Sequence, residues 1–316
     1  MKRLPIMIIG VGLLVTACGS AGPGSLGPAP AGTTGPSSPA SASASGGGTA
    51  GGAQSPGARP SATPATSAPG SPGSPGEIGL QAWFTRQGKL IVTERTVPAT
   101  TSVGGAAVDR LLAGPSAAEY AAAVRSQIPV GTTLLGLSIS SGTATANLSS
   151  SFESAASPST MSLRIAQMVY TLTQFPTVTS VRFQINGQGV TVLGGVPVQS
   201  PQTRPMYSGY LSAITVQSPV IGQSVTNPVT VSGTADVFEA VVSVRILDSA
   251  GHEIARTFTT ASCGTGCRGD YSVTISYPVP RTEPGTIEVF ESSAKNGLPI
   301  NVQQIPVTLR SAPASG

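Results

Sequence analysis

Few side chains in this 316-residue chain have the types and spacing that enzyme chemistry requires. His252 is the only histidine, and it follows Gly251 in a segment that we predict to be a hairpin turn. A Ser-His-Asp site needs a histidine that a buried carboxylate fixes close to a nucleophile. Because a predicted turn is exposed to solvent, we interpret His252 as a solvated turn residue rather than as a catalytic base.

Carboxylates near this histidine raise the question of glycoside hydrolysis. That reaction needs two carboxyl groups about 5 to 10 Å apart, one of which has a raised pKa. The candidates are Asp236, Glu239, Asp248 and Glu253. All four are predicted at strand ends and turns, where carboxylates are usually solvated, so an envelope hydrolase is the least favoured of three functional hypotheses. A close pair of them in one cleft would revive it.

The glycine-rich positions do not match a phosphate-binding loop. Gly104 and Gly105 precede a predicted helix but lack the lysine and the serine or threonine that such a loop requires. Glycines between residues 187 and 195 follow predicted hairpins, and we interpret them as turn residues. The sequence therefore predicts no catalytic group, no cofactor and no metal site.

The start of the chain indicates export. Lys2 and Arg3 precede an apolar run over residues 4 to 15, and small residues lead to Cys18, as in a secretory signal peptide. The run is shorter than the roughly 20 residues that a membrane-spanning helix needs. We therefore predict a cleaved leader over residues 1 to 17.

The residues Val15-Thr16-Ala17-Cys18 resemble a bacterial lipobox, with valine where leucine is commoner. The resemblance implies a lipoprotein in which Cys18 becomes the first mature residue and carries a diacylglycerol thioether. A second chain, such as palmitate, would make the anchor stable. We expect the protein on the extracytoplasmic face of the cell membrane. The alternative is an ordinary secretory signal with a chance cysteine.

The composition of residues 18 to 77 predicts a disordered linker. Apart from Leu26, Gln54 and Arg59, residues 19 to 76 are Gly, Pro, Ser, Ala or Thr. So little apolar surface cannot offset the cost of ordering the chain. A flexible coil of this length reaches roughly 40 Å, enough to hold a folded body away from a membrane. Its composition also suits O-glycosylation.

Charge argues against a nucleic-acid partner. The chain has 17 basic and 13 acidic side chains, a net charge of +4. Three of the basic ones, Lys2, Arg3 and Arg59, precede residue 77, so the remainder carries 14 basic and 13 acidic groups and a net charge of +1. A nearly neutral folded part offers no basic face for phosphates.

The amino-acid usage is rich in alanine and poor in lysine, which suggests an actinobacterial source.

The remaining cysteines, Cys263 and Cys267, are separated by Gly-Thr-Gly. If Cys18 is lipidated, an oxidising compartment favours a disulfide between them. Its small loop would contribute roughly 2 kcal/mol. A metal or redox pair is the alternative, but two cysteines and one histidine do not fill a four-ligand zinc site.

The first folded segment alternates strand and helix patterns. We predict two strands over 80–97 around a Gln87-Gly88 turn, followed by a helix over 104–113. A short helix follows the capping box Ser116 to Glu119, and two strands follow over 133–140 and 143–148. The last elements are a helix over 159–174 and a hairpin at Asn186-Gly187 whose return strand is 190–193.

Four motifs follow one another in this segment. In chain order they are Leu111-Leu112-Ala113-Gly114-Pro115, Ile128-Pro129 with Gly131-Thr132, Val169-Tyr170-Thr171-Leu172-Thr173-Gln174-Phe175-Pro176, and Val181-Arg182-Phe183 with Asn186-Gly187. They resemble the motifs of the GerMN domain, which is named for spore-germination and sporulation proteins. The resemblance implies a compact α+β domain over residues 78 to 207, without enzymatic activity, that serves binding or assembly.

The second folded segment predicts an all-β immunoglobulin-like sandwich over residues 212 to 310. Seven short strand patterns are separated by turn residues, the number that such a sandwich needs. Val242, Val244 and Ile246 are predicted to line the core, with Ser243 and Arg245 facing outward.

Three groups of residues in this second segment form a further set of motifs. They are Val231-Ser232-Gly233-Thr234-Ala235 with Phe238-Glu239-Ala240, Gly269-Asp270-Tyr271, and Phe290-Glu291-Ser292-Ser293-Ala294-Lys295. These motifs resemble those of the immunoglobulin-like domain that accompanies GerMN in spore-germination proteins.

Aromatic residues provide the remaining candidates for contact with a ligand. Trp83 and Phe84 could stack on carbohydrate, but aromatic residues in an early strand more often belong to the core. Tyr207 and Tyr210 lie between the two predicted domains, where either an exposed contact or packing at the junction would explain them.

Together these observations predict a non-enzymatic, lipid-anchored protein that binds or scaffolds a protein partner or wall polymer outside the cytoplasmic membrane. The alternative is a small-ligand-sensing lipoprotein that signals to a membrane protein. A deep apolar cleft lined by Tyr207 or Tyr210 would favour sensing, and a broad exposed patch on the first domain would favour assembly.

Overall fold

The computed structural model describes residues 76 to 311. The predicted leader, the lipobox with Cys18 and the predicted linker up to residue 75 lie outside the described residues, as do residues 312 to 316. Between residues 76 and 311 no helix combines the length and apolarity that crossing a bilayer would require.

The first module contains a hairpin, three helices and a four-stranded sheet. Its elements are β1 (Glu77–Arg86), β2 (Lys89–Pro98), α1 (Val103–Leu112), α2 (Ala117–Ala121), β3 (Leu134–Ser140), β4 (Thr143–Leu148), α3 (Pro158–Leu172), β5 (Ser180–Ile185), β6 (Gln188–Gly189), β7 (Val192–Leu193) and β8 (Val196–Pro197). The sheet order is β3-β4-β5-β6, and β4 and β5 are parallel. This is the α+β fold that the sequence predicts.

Helix α2 begins with the predicted capping box. The Glu119 backbone N–H donates to the Ser116 hydroxyl, and the Ser116 N–H donates to the Glu119 carboxylate at 2.8 Å. Arg95 of β2 also binds this carboxylate through both terminal nitrogens, at 2.6 and 2.7 Å. A local cap therefore also ties α2 to the hairpin.

The predicted return strand after Asn186-Gly187 is wrong in its extent. Directly after the turn, the returning chain pairs with β5 only over Gln188–Gly189 and then forms a separate small hairpin of β7 and β8. Gly194 and Gly195 both have positive φ, 48° and 84°, so a tight turn folds β7 back on β8.

The second module is a sandwich of two sheets. Its strands are β9 (Ile214–Ser218), β10 (Ser224–Val225), β11 (Val229–Ala235), β12 (Val241–Leu247), β13 (Glu253–Thr260), β14 (Gly269–Ile275), β15 (Glu283–Ser292) and β16 (Pro299–Leu309). The sheet orders are β10-β16-β15-β12-β13 and β14-β11-β9. The seven predicted strands are present, and the two-residue β10 pairs in parallel with β16.

The outer face of β12 is less exposed than predicted. Val242, Val244 and Ile246 are buried in the core, as predicted. Ser243 on the opposite face is only 8% exposed, however, so this face is not open to solvent. The guanidinium groups of Arg245 and Arg256 lie 5.3 and 5.5 Å from the ring centre of Phe290, and they cover this face.

The two modules share one continuous hydrophobic core. Leu90 of β2 forms a β-bridge with Leu211, just before the second module. At the same, turn end of this hairpin, Arg86 donates to the Gln304 carbonyl oxygen of β16 at 2.8 Å. The β1–β2 turn of the first module therefore packs against the outer face of the five-stranded sheet.

Packing, rather than exposed contact, explains Tyr207. Its side chain is buried, and its hydroxyl donates to the Gln202 amide oxygen at 2.5 Å. Its ring stacks on Tyr210, with 6.3 Å between the ring centres, and Tyr210 is itself half-buried. Trp83 is also buried, with its ring centre 4.8 Å from that of Tyr170, so it is a core residue and cannot stack on carbohydrate.

We predict that Glu119→Ala destabilises the first module by about 3 kcal/mol, because it leaves Arg95 without its carboxylate and removes half of the capping box. Urea denaturation would measure the loss in unfolding free energy. The control is Glu153→Ala, which removes an exposed carboxylate. Equal losses in the two variants would contradict the assigned role of the buried pair.

We predict that Tyr207 ionises only in strongly alkaline solution. Burial, with a smaller contribution from Tyr210, raises the pKa of Tyr207 to about 12. The ordinary tyrosine pKa is about 10. The contribution of the neutral Tyr207 phenol to the stability of the folded protein is therefore complete below that pH and is lost as the pH rises through about 12. Spectrophotometric titration should show that Tyr207→Phe removes a late-ionising phenol. Loss of an ordinary one would contradict the burial effect.

Candidate functional site

His252 lies in the turn that the sequence predicts. Its side chain is 80% exposed, and its Nδ1 lies 3.3 Å from the Asp248 carboxylate. Hydrogen bonds from the backbone N–H groups of His252 and Ala250 hold the pKa of Asp248 below its usual value. Asp248 thus closes the turn, and this histidine lacks the buried carboxylate that would fix a catalytic base.

The other carboxylates considered for hydrolysis also have structural contacts. Asp236 accepts the Gly266 N–H at 2.8 Å, and the Glu253 carboxylate pairs with Arg256 at 2.7 Å. The hydrogen bond from Arg256 lowers the pKa of Glu253, whereas a general acid would need it raised. Glu239 lies in a short 3-10 turn.

Among residues 76 to 311, no group of three or more His, Cys, Asp or Glu side chains is arranged to hold a metal ion. Cys263 and Cys267 instead form the predicted disulfide, with 5.6 Å between their Cα atoms. Within the bridged loop, the Thr265 N–H donates to the Val237 carbonyl at 3.0 Å. The disulfide therefore closes this loop, and the Thr265 hydrogen bond ties the loop to the segment that follows β11.

The sequence patterns did not predict that three carboxylates are buried and belong to the packing of the modules. Glu119, Glu288 and Glu291 are each less than 10% exposed. The capping box signalled a local role for Glu119, but nothing in the sequence places Arg95 beside it. Glu288 pairs with Arg245 at 2.6 Å, and Glu291 accepts the Phe238 N–H at 3.1 Å. Each partner is distant in sequence, which is why pattern analysis did not find these contacts.

Strand β3 is an open edge of the first module. It is the terminal strand of its sheet, and its outward side pairs with no other strand in the part of the chain that the structure describes. Ser141 and Gly142, with φ of 48° and 77°, form a two-residue hairpin loop to β4. In such a hairpin the flanking Ser140 bonds to β4 and alternate residues point outward. The backbone groups of Leu137 and Ile139 therefore face the open side.

The sequence of β3, Leu-Leu-Gly-Leu-Ser-Ile-Ser, contains no charge and no proline. Natural edges are usually protected by such residues. Strand β13 at the edge of the five-stranded sheet carries Glu253 and Arg256, and β14 carries Asp270. Leu135 and Ile139 of β3 are about half exposed. Strand β3 is therefore an unprotected edge.

A groove of about 340 Å³ runs beside this edge, between β3 and α1. Residues 134 to 137 form one wall, and Gly105, Ala106 and Asp109 of α1 form the other. The α1 wall of the groove therefore consists of two small residues, Gly105 and Ala106, and one carboxylate, Asp109.

A second cavity, of about 550 Å³, lies at the junction of the two modules, and we call it the junction cavity. Its lining from the first module includes Arg86, Lys89 and Leu90, and its lining from the second includes Arg245 and Glu288. Tyr207 and Tyr210 do not line it, and charged groups are prominent in its walls. This cavity is therefore not the deep apolar cleft, lined by Tyr207 or Tyr210, that would favour the sensing hypothesis.

Two protein families match the chain. The family described as sporulation and spore germination matches residues 82 to 191, and the immunoglobulin-like domain of bacterial spore germination matches residues 213 to 298. Both are sporulation- or germination-related domain families, and neither is known as an enzyme family. None of the curated proteins matches the chain significantly.

Three solved structures are similar to parts of the chain. The first GerMN domain of the sporulation protein GerM from Bacillus subtilis is 23% identical, over 40% of this chain and 98% of its own, with a TM-score of 0.36. The tandem GerMN domains of the same protein are 15% identical, over 76% and 62%, with a TM-score of 0.37. A putative lipoprotein from Clostridium perfringens is 21% identical, over 41% and 89%, with a TM-score of 0.31.

The order of the two family matches along the chain is the order that the sequence motifs predict. The chain therefore combines a GerMN domain with an immunoglobulin-like domain of the bacterial spore-germination type.

Proposed function

We propose that this protein is a non-enzymatic, lipid-anchored envelope protein whose GerMN domain docks an extended segment of a partner protein along the β3 edge. Cys18 would hold it to the membrane, and the linker would give the folded modules reach. The observation that carries the proposal is the open, uncharged edge formed by residues 134 to 140.

Backbone chemistry favours a protein partner at this edge. Leu137 and Ile139 direct unpaired backbone N–H and C=O groups outward, and these groups match the edge of another strand. In strand addition, main-chain hydrogen bonds provide affinity and side-chain pockets provide specificity. The groove between β3 and α1 supplies such a pocket directly beside the edge.

A wall polymer is the less favoured partner. Carbohydrate recognition commonly uses exposed aromatic faces, and the tryptophan that could have provided one, Trp83, is buried. The charge-free β3 also offers no ion pair to a charged polymer. A strand of alternating apolar residues, with a donor directed at Asp109, fits the edge and groove better.

We predict that Ile139→Pro abolishes partner capture, because proline removes an outward N–H while the ladder to β4 is retained. Photo-crosslinking from β3 in intact cells, followed by mass spectrometry, would identify what is captured. Ile139→Ala is the matched control, since it removes the side chain but keeps the N–H, and it should weaken capture only in part.

Equal capture by Ile139→Pro and the unaltered chain would contradict strand addition. Crosslinks to a second copy of this chain would replace the partner protein with self-association, and crosslinks to glycan alone would favour the wall polymer. Thermal unfolding of the proline variant should match that of the alanine control, which establishes that the module remains folded.

We predict that Cys18→Ser releases the protein from membranes, because the thioether to the lipid can no longer form. Detergent phase partitioning of cell fractions would measure the release. Cys263→Ser, which removes a thiol of the disulfide, should leave the partitioning unchanged. Unchanged partitioning of Cys18→Ser would contradict the lipid anchor.

A further inference from the structure

The junction cavity carries more positive than negative charge. Arg86 and Lys89 of the hairpin and Arg245 of β12 line it, and Glu288 is the carboxylate in its lining. Arg245 and Glu288 neutralise each other, because their side chains form an ion pair at 2.6 Å. Gln304 donates to the other oxygen of Glu288 at 2.9 Å. This part of the lining is therefore paired.

Arg86 and Lys89 are the charges that remain. Neither forms an ion pair with any carboxylate of residues 76 to 311. Arg86 donates to two neutral oxygens, the Gln304 carbonyl at 2.8 Å and the Gln303 amide at 3.2 Å. Lys89 donates to the Gly209 carbonyl at 2.8 Å. Neutral oxygens orient these cations but do not neutralise them.

Both cations retain free hydrogen-bond donors. A guanidinium group has five N–H donors and an ammonium group has three, and the contacts above use two and one of them. Burial lowers the pKa of Arg86, which reflects the cost of removing its charge from water without a counter-charge. An anion in the cavity would reduce that cost.

We propose that the junction cavity binds the oxyanion group, a carboxylate or a phosphate, of a small ligand through Arg86 and Lys89. The planar fork of arginine binds two oxygens of such a group at once, and lysine adds a point charge. The cavity volume, about 550 Å³, lies in the range of small-molecule sites. This site is separate from the β3 edge and does not depend on partner docking.

Both modules contribute to this site. Arg86 belongs to the first module and already contacts β16 of the second, and Arg245 and Glu288 belong to the second. A ligand bound there would contact both modules only while they are packed together. Bound ligand should therefore raise the thermal stability of the junction, since a ligand stabilises the state that it binds.

The test uses the mature full-length chain with Cys18→Ser, which avoids detergent, and isothermal titration calorimetry. The probes are glycerol 3-phosphate for a phosphate ester and N-acetyl-dialanine for a peptide carboxylate. Their uncharged counterparts, glycerol and N-acetyl-dialanine amide, are the ligand controls. We expect binding of at least one charged probe and of neither control. Which charged probe binds identifies the source of the oxyanion.

Variants test whether the two cations form the site. Lys89→Gln and Arg86→Gln should each weaken binding about tenfold or more, as expected for loss of a charge-assisted hydrogen bond. Arg86→Lys keeps the charge but not the fork and should weaken binding less. The matched control is Arg281→Gln, at a side chain that is 83% exposed and outside the cavity lining. Lys89 is itself exposed, so its substitution should not unfold the module.

The proposal is overturned if neither charged probe binds, or if Lys89→Gln and Arg86→Gln bind as tightly as the unaltered chain. Equal binding of a charged probe and its uncharged counterpart would also overturn it. Ile139→Pro should leave probe binding unchanged, so failure of docking at β3 and failure of the oxyanion site are distinguishable.

Discussion

The β1–β2 hairpin packs against both modules. Its inner residues, including Trp83 and Leu90, belong to the shared core, and its turn reaches the outer face of the five-stranded sheet. One hairpin thus supports the GerMN core and one wall of the junction cavity. Apolar side chains of the shared core hold the two modules together. The polar groups at the junction can therefore face a cavity.

The distribution of charge distinguishes the two surfaces of interest. Only 9% of the residues are charged, and several of the arginines are used in packing, over Phe290 and beside Glu119. Strand β3 has no charge at all, which suits pairing through the backbone. The junction cavity has two cations without a carboxylate partner among the described residues. The two surfaces therefore differ in the chemistry that they can recognise.

Local patterns predicted most of the fold. The capping box at Ser116, the helix predicted over 159–174 and the core face of β12 depend on neighbours within a few residues, and the structure confirms each. The return strand at 190–193 was wrong because the turn at Gly194 and Gly195 pairs Val192–Leu193 with Val196–Pro197 instead of with β5. The outer face of β12 is less exposed than the alternation indicates, because Arg245 of β12 and Arg256 of the neighbouring β13 lie over Phe290 of β15.

The order of the two modules and their fold classes could be predicted from composition, periodicity and short motifs, and a Cys263–Cys267 disulfide was the favoured of two interpretations of that pair. The burial of Tyr207, the open edge at β3 and the contact of Arg86 with Gln304 became visible in the tertiary structure. Those facts depend on which distant segments pack together, and side-chain periodicity carries no information about that choice.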